Sequence, residues 1–359
     1  MNGQTTTTSY GYDPAGRVTD VTTGSATTHY GYDDNGNRTS VTNASGTIAA
    51  TYDPQDRLTT YNGASYLYSD NGELQKKIDA QGTTLYNYDV LGNLRSVTLP
   101  DGRLIEYVID ASNRRVGKKV NGTLVAGWVY GDQLRIIAET DGSGTVTKRF
   151  VYGSRTNVPA YMVWQGATYR IISDHLGSPR YVIQANAGTL AEAIAYDEFG
   201  NVLSDSNPKF VPFGFAGGLS DADTTFTRFG ARDYDPHIGR WAVKDAILFR
   251  GHESNIFEYA FSDPVNWNDQ SGFATVRNIS GDTVIISGDP CRVNGSGDQV
   301  FGVVPPDGRV YGGADNPIPS FPNASQARTY AKYLEARPGF IVPLPAEPHE
   351  SHLRHCLLF

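Results

Sequence analysis

The chain has 359 residues, of which 39% are hydrophobic, and a formal net charge of −8. Such a length can hold two or three domains, and the apolar content is enough to bury a core. The acidic balance, with a sequence pI near 5.4, argues against attraction to nucleic acid or to an anionic membrane surface. No stretch approaches the roughly 18 consecutive apolar residues of a membrane span, and the first residues lack the pattern of a signal peptide.

A tyrosine-containing repeat occupies the first part of the chain. Copies of Y-D-x-x-G or close variants begin at Tyr12, Tyr32, Tyr52, Tyr68, Tyr88 and Tyr196. Thr, Val and Tyr dominate the segments between Asp, Asn and Gly clusters, which predicts two short strands and two turns per unit. The order D-P-A-G in residues 13–16 suits a type I turn, and second turns are expected near Gly24, Gly46 and Gly63.

The predicted strands alternate in part, with Val and Tyr on one face and Thr and Ser on the other. One hairpin cannot bury such a face alone, so successive units are expected to stack into a long curved antiparallel sheet. An ordinary β-sandwich is the alternative, and the regular units argue against it. Because the chain opens almost directly inside a repeat, we expect it to be the C-terminal part of a longer protein.

These units resemble the YD repeats of the Rhs and insecticidal toxin-complex C-component families and, more distantly, of teneurins. The resemblance continues through SDHLGSPRYV from Ser173, YDEFGN from Tyr196 and FTRFGARDYDPHIGRWAVKDAI from Phe226. The last of these is similar to the Rhs core signature R-x-Y-D-P-x-x-G-R-F-x-x-x-D-P. The stretch from Asn255 to DQSGF, ending at Phe273, is similar to the end of that core.

The resemblance implies a mainly β fold built as a spiral of antiparallel hairpins. Residues 1–172 would form part of a shell wall, 173–273 a core plug with a self-cleavage site, and 274–359 a variable, small α+β C-terminal domain. A chain of this length would supply an arc of wall. No cofactor is implied. The implied partners are the chain's own C-terminal segment as cargo, an upstream shell or a secretion or toxin-complex component, and an immunity protein.

The same resemblance places an intramolecular aspartic peptidase at Asp245 and Asp269, with the cut between Phe273 and Ala274. Two close carboxylates resist ionising together, so an ionised one can take a proton from water while a protonated one polarises the carbonyl group. A target bond in the same polypeptide removes the cost of substrate capture, so a single turnover suffices.

Other residues near the predicted dyad have expected supporting roles. Arg232 or Arg240 could stabilise the developing oxyanion or pair with a carboxylate, and Gly272 permits close backbone approach. Ala246 and Gln270 stand where the family has prolines, which relaxes the local geometry.

A third departure and a structural alternative concern the predicted cleavage site. Phe273 stands where the family has leucine at the cleavage position. The structural alternative is that Asp245 and Asp269 are turn or capping residues, the commonest use of Asp beside Gly and Asn. Asp235, in YDPHIGR, is predicted to be a turn residue.

The tyrosine repeat is absent after Phe273. Hairpins are predicted around residues 281–282 and 306–308, and one amphipathic helix is predicted from Asn323 to the Pro338–Gly339 pair. His349, His352 and His355 beside Cys356 have side-chain types suited to zinc, but no second ligand cluster is evident and an exposed polar tail is the alternative. Cys291 is interpreted as a buried residue rather than a nucleophile.

Three functions follow from these observations. The first is a portion of an Rhs-type polymorphic toxin, made in the cytoplasm and then secreted or delivered by a secretion system, whose C-terminal effector of unknown activity is released by autoproteolysis. The second is a non-enzymatic, structural surface or secreted protein whose Tyr and Asn/Asp rims bind carbohydrate or a protein of another cell. The third is an uncleaved relative in which residues 274–359 form a fixed cap.

Overall fold

The computed structural model describes residues 6–246, 248 and 255–273, and the backbone of three short strands after them. Within this part, 20 strands form one sheet in which each strand pairs antiparallel with the next along the chain. We call this sheet the wall. Its strands are β1 (Thr8–Tyr12), β2 (Val18–Thr23), β3 (Ala26–Tyr32), β4 (Arg38–Asn43), β5 (Gly46–Tyr52), β6 (Leu58–Tyr61), β7 (Ala64–Tyr68), β8 (Leu74–Asp79), β9 (Gly82–Tyr88), β10 (Leu94–Thr98), β11 (Leu104–Ile109), β12 (Arg115–Val120), β13 (Thr123–Tyr130), β14 (Ile136–Thr140), β15 (Val146–Val151), β16 (Tyr161–Trp164), β17 (Ala167–Ser173), β18 (Pro179–Gln184), β19 (Leu190–Tyr196) and β20 (Val202–Asp205).

The Y-D-x-x-G units form turns along one rim of the wall. In the first unit, one oxygen of Asp13 accepts hydrogen bonds from the backbone N–H groups of Ala15 and Arg17, at 3.0 and 2.9 Å. Gly16 has a φ of 84°, which favours glycine. The predicted second turns also contain glycines with positive φ, namely Gly24, Gly46 and Gly63. The predicted turns are therefore confirmed.

The partial alternation of the strands has a structural cause. The pairing of β1 with β2 shifts by one residue between Gly11 and Tyr12, and similar shifts recur beside Tyr52 and Tyr68. Such a bulge changes which face the following side chains occupy. Val18 and Val21 are thus both buried although they are three positions apart.

Side chains connect each turn to the next, in contact zones that we call seams. The hydroxyl group of Tyr32 donates to the carbonyl oxygen of Val18 at 2.9 Å, in the preceding unit. Arg17 donates to the carbonyl oxygen of Asp33 at 2.8 Å, and its Cζ lies 4.9 Å from the Tyr32 ring centroid. Hydroxyl groups of other repeat tyrosines make equivalent bonds, those of Tyr52, Tyr130 and Tyr152. The Y and D of the repeat therefore join neighbouring units.

Substitution Tyr52→Phe is expected to lower the free energy of unfolding by about 1 kcal/mol, because it leaves the carbonyl oxygen of Arg38 without its donor at 2.8 Å. Urea unfolding followed by tryptophan fluorescence measures this. Tyr181→Phe is the control, since Tyr181 is 43% exposed. Equal stability losses in the two variants would contradict the role of the hydroxyl bond.

The wall surrounds a second layer, residues 206–246 and 255–273, which we call the inner core. Its strands are β21 (Leu219–Ser220), β22 (Thr227–Phe229), β23 (Arg232–Asp235) and β24 (Arg240–Trp241), with short 3₁₀ segments at Phe215–Gly217 and Ala260–Ser262. Its aromatic side chains pack with wall residues in one cluster, which includes Trp128, Phe150, Phe215, Tyr234, Trp241 and Tyr259. The meander of the wall does not stop at residue 172 but continues to Asp205.

The two ends of the wall approach each other. Tyr30 of β3 donates a hydrogen bond to Glu198, in the turn after β19. The rings of Tyr30 and Phe199 lie 4.9 Å apart, and Arg38 lies over Phe199 at 4.3 Å. The wall therefore curls back on itself around the inner core and is more closed than the expected arc.

Three strands follow the inner core. Strand β25 (Thr275–Ile279) pairs with β26 (Asp282–Ile286), as predicted for a hairpin around residues 281–282, and β26 pairs with β27 (Gly302–Val304). The predicted hairpin at 306–308, the helix from Asn323, Cys291 and the histidines 349, 352 and 355 with Cys356 lie outside the described residues. In the described part of the chain, no helix has the length and apolarity that crossing a membrane requires.

Candidate self-cleavage site

The segment before the predicted cut lies against the turn between β22 and β23. The N–H group of Ala231 donates to the carbonyl oxygen of Ser271 at 2.9 Å, and Arg232 Nε donates to that of Gly272 at 2.6 Å. A Cβ on Gly230 would lie 2.2 Å from the carbonyl oxygen of Ser271, and one on Gly272 would lie 2.5 Å from that of Phe229. Glycine at both positions thus permits the close approach.

Asp269 fixes the backbone on the amino side of the cut. The residue is 2% exposed. Its Oδ1 accepts hydrogen bonds from the N–H groups of Gly272 and Phe273, at 2.8 and 3.2 Å, and from the hydroxyl group of Ser271 at 3.1 Å. Asp269 therefore has the geometry of the turn residue in the structural alternative, and it holds the residue whose carbonyl group would be attacked.

Arg232 brings the two predicted carboxylates together. Its Nη2 lies 2.8 Å from Oδ2 of Asp245 and 3.3 Å from Oδ2 of Asp269. The guanidinium Cζ lies 4.1 Å from the Trp241 ring centroid, which supports its flat face. One buried cation is thus shared by both carboxylates, and it offsets their mutual repulsion.

The two carboxylates differ in exposure. The Asp245 side chain is 13% exposed and that of Asp269 is 3% exposed. The N–H group of Asp245 donates to the carbonyl oxygen of Ile256 at 2.9 Å, which anchors it to the segment that follows. Because the side chain of Asp245 is the more exposed of the two, water has better access to Asp245 than to Asp269. Next to Asp269, burial raises the pKa of Tyr259, and the charge of Asp269 adds to that shift.

Arg240, the other arginine predicted to support the site, lies elsewhere. Its Nη2 donates to the carbonyl oxygen of Asp56 at 2.5 Å, and its Cζ lies 4.8 Å from the Tyr52 ring centroid. Arg240 therefore connects the inner core to the wall. Asp235 accepts a bond from the N–H group of His237 at 3.0 Å and is a turn residue, as predicted. Ala274 lies outside the described residues.

Sequence reasoning missed three residues of the site: Gly230, Trp241 and Ser271. Trp241 stands in GRW and Gly230 in FGAR, within the signature that carried the resemblance. The glycine in FGAR could therefore have indicated a turn or a close backbone approach at Gly230. The described residues include no group of three or more His, Cys, Asp or Glu side chains arranged to hold a metal ion.

The fold and the site define a YD-type β shell wall curled around an inner core. The Teneurin YD-shell family model matches residues 1–265, and the chain belongs to that family. Teneurin-3 of Danio rerio is 30% identical over 169 residues, and teneurin-3 of Mus musculus is 30% identical over 174 residues. These matches cover 46% and 47% of this chain and 6% of each relative, so the chain spans a small fraction of their length.

A solved structure also matches part of this chain. The crystal structure of TcdB2-TccC3-Cdc42 is 16% identical, with a TM-score of 0.49, and the match covers 76% of this chain and 16% of that one. The mainly β, YD-repeat fold predicted from the sequence is confirmed by the strands and by the family match.

Proposed function

We propose that this chain is the C-terminal part of a YD-repeat shell that cuts itself between Phe273 and Ala274. The observation that carries the proposal is the position of Arg232, which contacts Asp245, Asp269 and the carbonyl oxygen of Gly272, the second residue before the cut. A purely structural turn would need Asp269 but not a second carboxylate on the same cation.

The geometry favours separate roles for the two aspartates rather than one proton shared between them. Asp269 already accepts three hydrogen bonds at one oxygen, so its role is to hold the backbone. Asp245 has greater access to water and acts as the base. Arg232 stabilises the negative charge that develops at the carbonyl oxygen of Phe273.

The steps balance without any further reactant than water. Asp245 takes a proton from water, and the oxygen of that water bonds to the carbonyl carbon of Phe273. The protonated Asp245 then gives the proton to the nitrogen of Ala274, and the C–N bond breaks. The products are a carboxylic acid on Phe273, which still holds the second proton of the water until it passes that proton to solvent or to the new amine, and an amine on Ala274. Because the target belongs to the same chain, one turnover completes the process.

The released segment, residues 274–359, is the proposed cargo. We expect the complete protein to enclose it within a longer wall, to be secreted or delivered out of the producing cell, and to act with a delivery component and an immunity protein. This expectation follows the resemblance to toxin shells, and the activity of the cargo is a separate question.

The intact mass of the freshly purified chain tests the proposal. The wild-type chain is expected to give two pieces that meet after Phe273. Asp245→Asn and Asp269→Asn are each expected to give one unbroken chain, because the first loses the base and the second loses the charge that holds Arg232 in place. Asp34→Asn is the matched control, since Asp34 is an exposed turn residue, and this variant should be cut like the wild type.

Two results would contradict the mechanism. An unbroken wild-type chain under native conditions would favour the structural function, in which residues 274–359 form a cap. Cleavage that persists in both aspartate variants would place the catalytic groups elsewhere. Circular dichroism of each variant checks that the fold is kept.

A further inference from the structure

The seam between residues 69–73 and residues 89–92 has an unusual charge. In the units YDPAGR, YDPQDR and IDASNR the sixth position is arginine, namely Arg17, Arg57 and Arg114, whereas YSDNGE has Glu73. The carboxylate of Glu73 accepts hydrogen bonds from Ser69 and Asn71 within its own turn. This acidic side chain thus replaces a cation that recurs elsewhere in the wall.

The other seams show what the arginine does. Arg114 donates to the carbonyl oxygen of Asp132 in the next turn at 3.0 Å, and its Cζ lies 5.2 Å from the Tyr130 ring centroid. Arg17 makes the same pair of contacts with Asp33 and Tyr32. A guanidinium stacked on the seam tyrosine is therefore a repeated element of the wall.

The guanidinium need not come from the same unit. Where the unit YDDNGN has Asn37 at the sixth position, Arg240 of the inner core takes the place of the arginine. It lies over the ring of Tyr52 at 4.8 Å and donates to the carbonyl oxygen of Asp56. A cation supplied by a distant segment thus completes a seam.

At the seam of Glu73, Lys244 of the inner core contacts the turn, with its Nζ 2.7 Å from Oδ1 of Asn71, but it does not take the arginine's place over the tyrosine ring. No described arginine or lysine stacks on Tyr88, whose hydroxyl group is buried there without a hydrogen-bond partner. A groove of about 600 Å³ opens at this place instead. It is lined by residues that include Glu73, Gln75, Leu85, Tyr86, Tyr88 and Val90.

The edge of the groove adds an apolar contact surface. Val90 and Leu91, at the tip of the next turn, are 98% and 66% exposed, whereas the equivalent turns carry Pro14–Ala15 and Asp34–Asn35. Arg95, an exposed cation beside the groove, has its Nη1 3.6 Å from Oδ2 of Asp89. The carboxylate of Glu73 and the tyrosine ring suit a guanidinium group, and the apolar turn of Val90 and Leu91 suits the residues that flank an arginine in a peptide.

We propose that this groove binds an arginine side chain presented by a partner polypeptide. The guanidinium pairs with the carboxylate of Glu73, stacks on Tyr88 and donates to the carbonyl oxygen of Asp89, as Arg17 does at its own seam. Val90 and Leu91 contact the residues on either side of that arginine. The proposal is independent of self-cleavage, because binding is measured without reference to the state of the Phe273–Ala274 bond.

Calorimetric titration of the full chain with acetyl-Ala-Arg-Ala-amide tests the proposal. A dissociation constant on the order of 1 mM is expected for a single anchored side chain. The matching lysine peptide is expected to bind at least about fivefold more weakly, since an ammonium group does not stack or donate as a planar fork.

Two variants of Glu73 test whether its carboxylate binds the arginine side chain. Glu73→Arg is expected to supply the cation within the chain, to abolish peptide binding and to raise the midpoint of thermal unfolding by a few degrees. Glu73→Gln is expected to keep the fold and to weaken binding about tenfold. Equal binding of the two peptides, or undiminished binding by Glu73→Gln, would overturn the proposal, and so would an absence of binding to the wild-type chain.

Discussion

Replacing Asp233 by asparagine is expected to destabilise the folded chain by about 3–5 kcal/mol. Asp233 is 2% exposed, and its Oδ2 accepts hydrogen bonds from Arg115 at 3.0 Å and from Arg228 at 2.9 Å. Burial lowers the pKa of Arg228, and Asp233 opposes that effect. Asparagine keeps the shape of the side chain but leaves two buried guanidinium groups without a counter-charge.

Urea unfolding of the variant measures the effect. Asp132→Asn is the matched control, because Asp132 pairs with Arg135 at the surface, with both side chains more than 40% exposed, and its loss should cost under about 1 kcal/mol. Adding Arg228→Met to Asp233→Asn is expected to restore part of the lost stability. If the double variant is less stable than Asp233→Asn, uncompensated charge is not the cause.

Replacing Glu192 by glutamine is expected to stabilise the chain at pH 8 by a few kcal/mol. Glu192 is 1% exposed. Burial raises its pKa from 4.5 to about 8, and the charge of Asp205 adds to this shift while Lys148 opposes it. The folded chain therefore holds a proton that the unfolded chain releases above pH 4.5, and stability declines as the pH rises from about 4.5 to about 8.

The glutamine variant is expected to remove this decline. Unfolding free energies at pH 5 and pH 8 measure it, and the variant should match the wild type near pH 4.5 and exceed it at pH 8. Asp223 does not interfere: burial acts to raise its pKa, but hydrogen bonds from Lys118 and Arg103 lower it to about 2, so its contribution is lost only in stronger acid. Glu106→Gln, on strand β11, is the control. An identical pH slope in the Glu192 variant would contradict the argument.

Contacts within the wall were predictable because they are local. Tyr52 reaches the backbone of Arg38, 14 positions earlier, and the repeat period places the two in neighbouring units. Contacts between the wall and the inner core were not predictable in this way. Arg115 and Asp233 are 118 positions apart, and nothing in the local pattern pairs them.

The distinction between Arg232 and Arg240 depended on strand register. Tyr234 pairs with Trp241 and Asp235 pairs with Arg240. Because side chains alternate along a strand, Arg232, Tyr234 and Trp241 share one face, while Arg240 lies on the other. The signature motif pointed to both arginines but not to this strand pairing, so it could not tell which arginine joins Asp245 and Asp269.

The order of strands in the wall has a consequence for biosynthesis. Each strand pairs with the one made just before it, so the wall can assemble as the chain leaves the ribosome, without waiting for later residues. The buried contacts of Arg38 and Arg115 then remain open until their inner-core partners, His237 and Asp233, have been translated. The site at Arg232 is completed last, because Asp269 lies near the end of the inner core. Translation order alone therefore delays any cut until the wall is built.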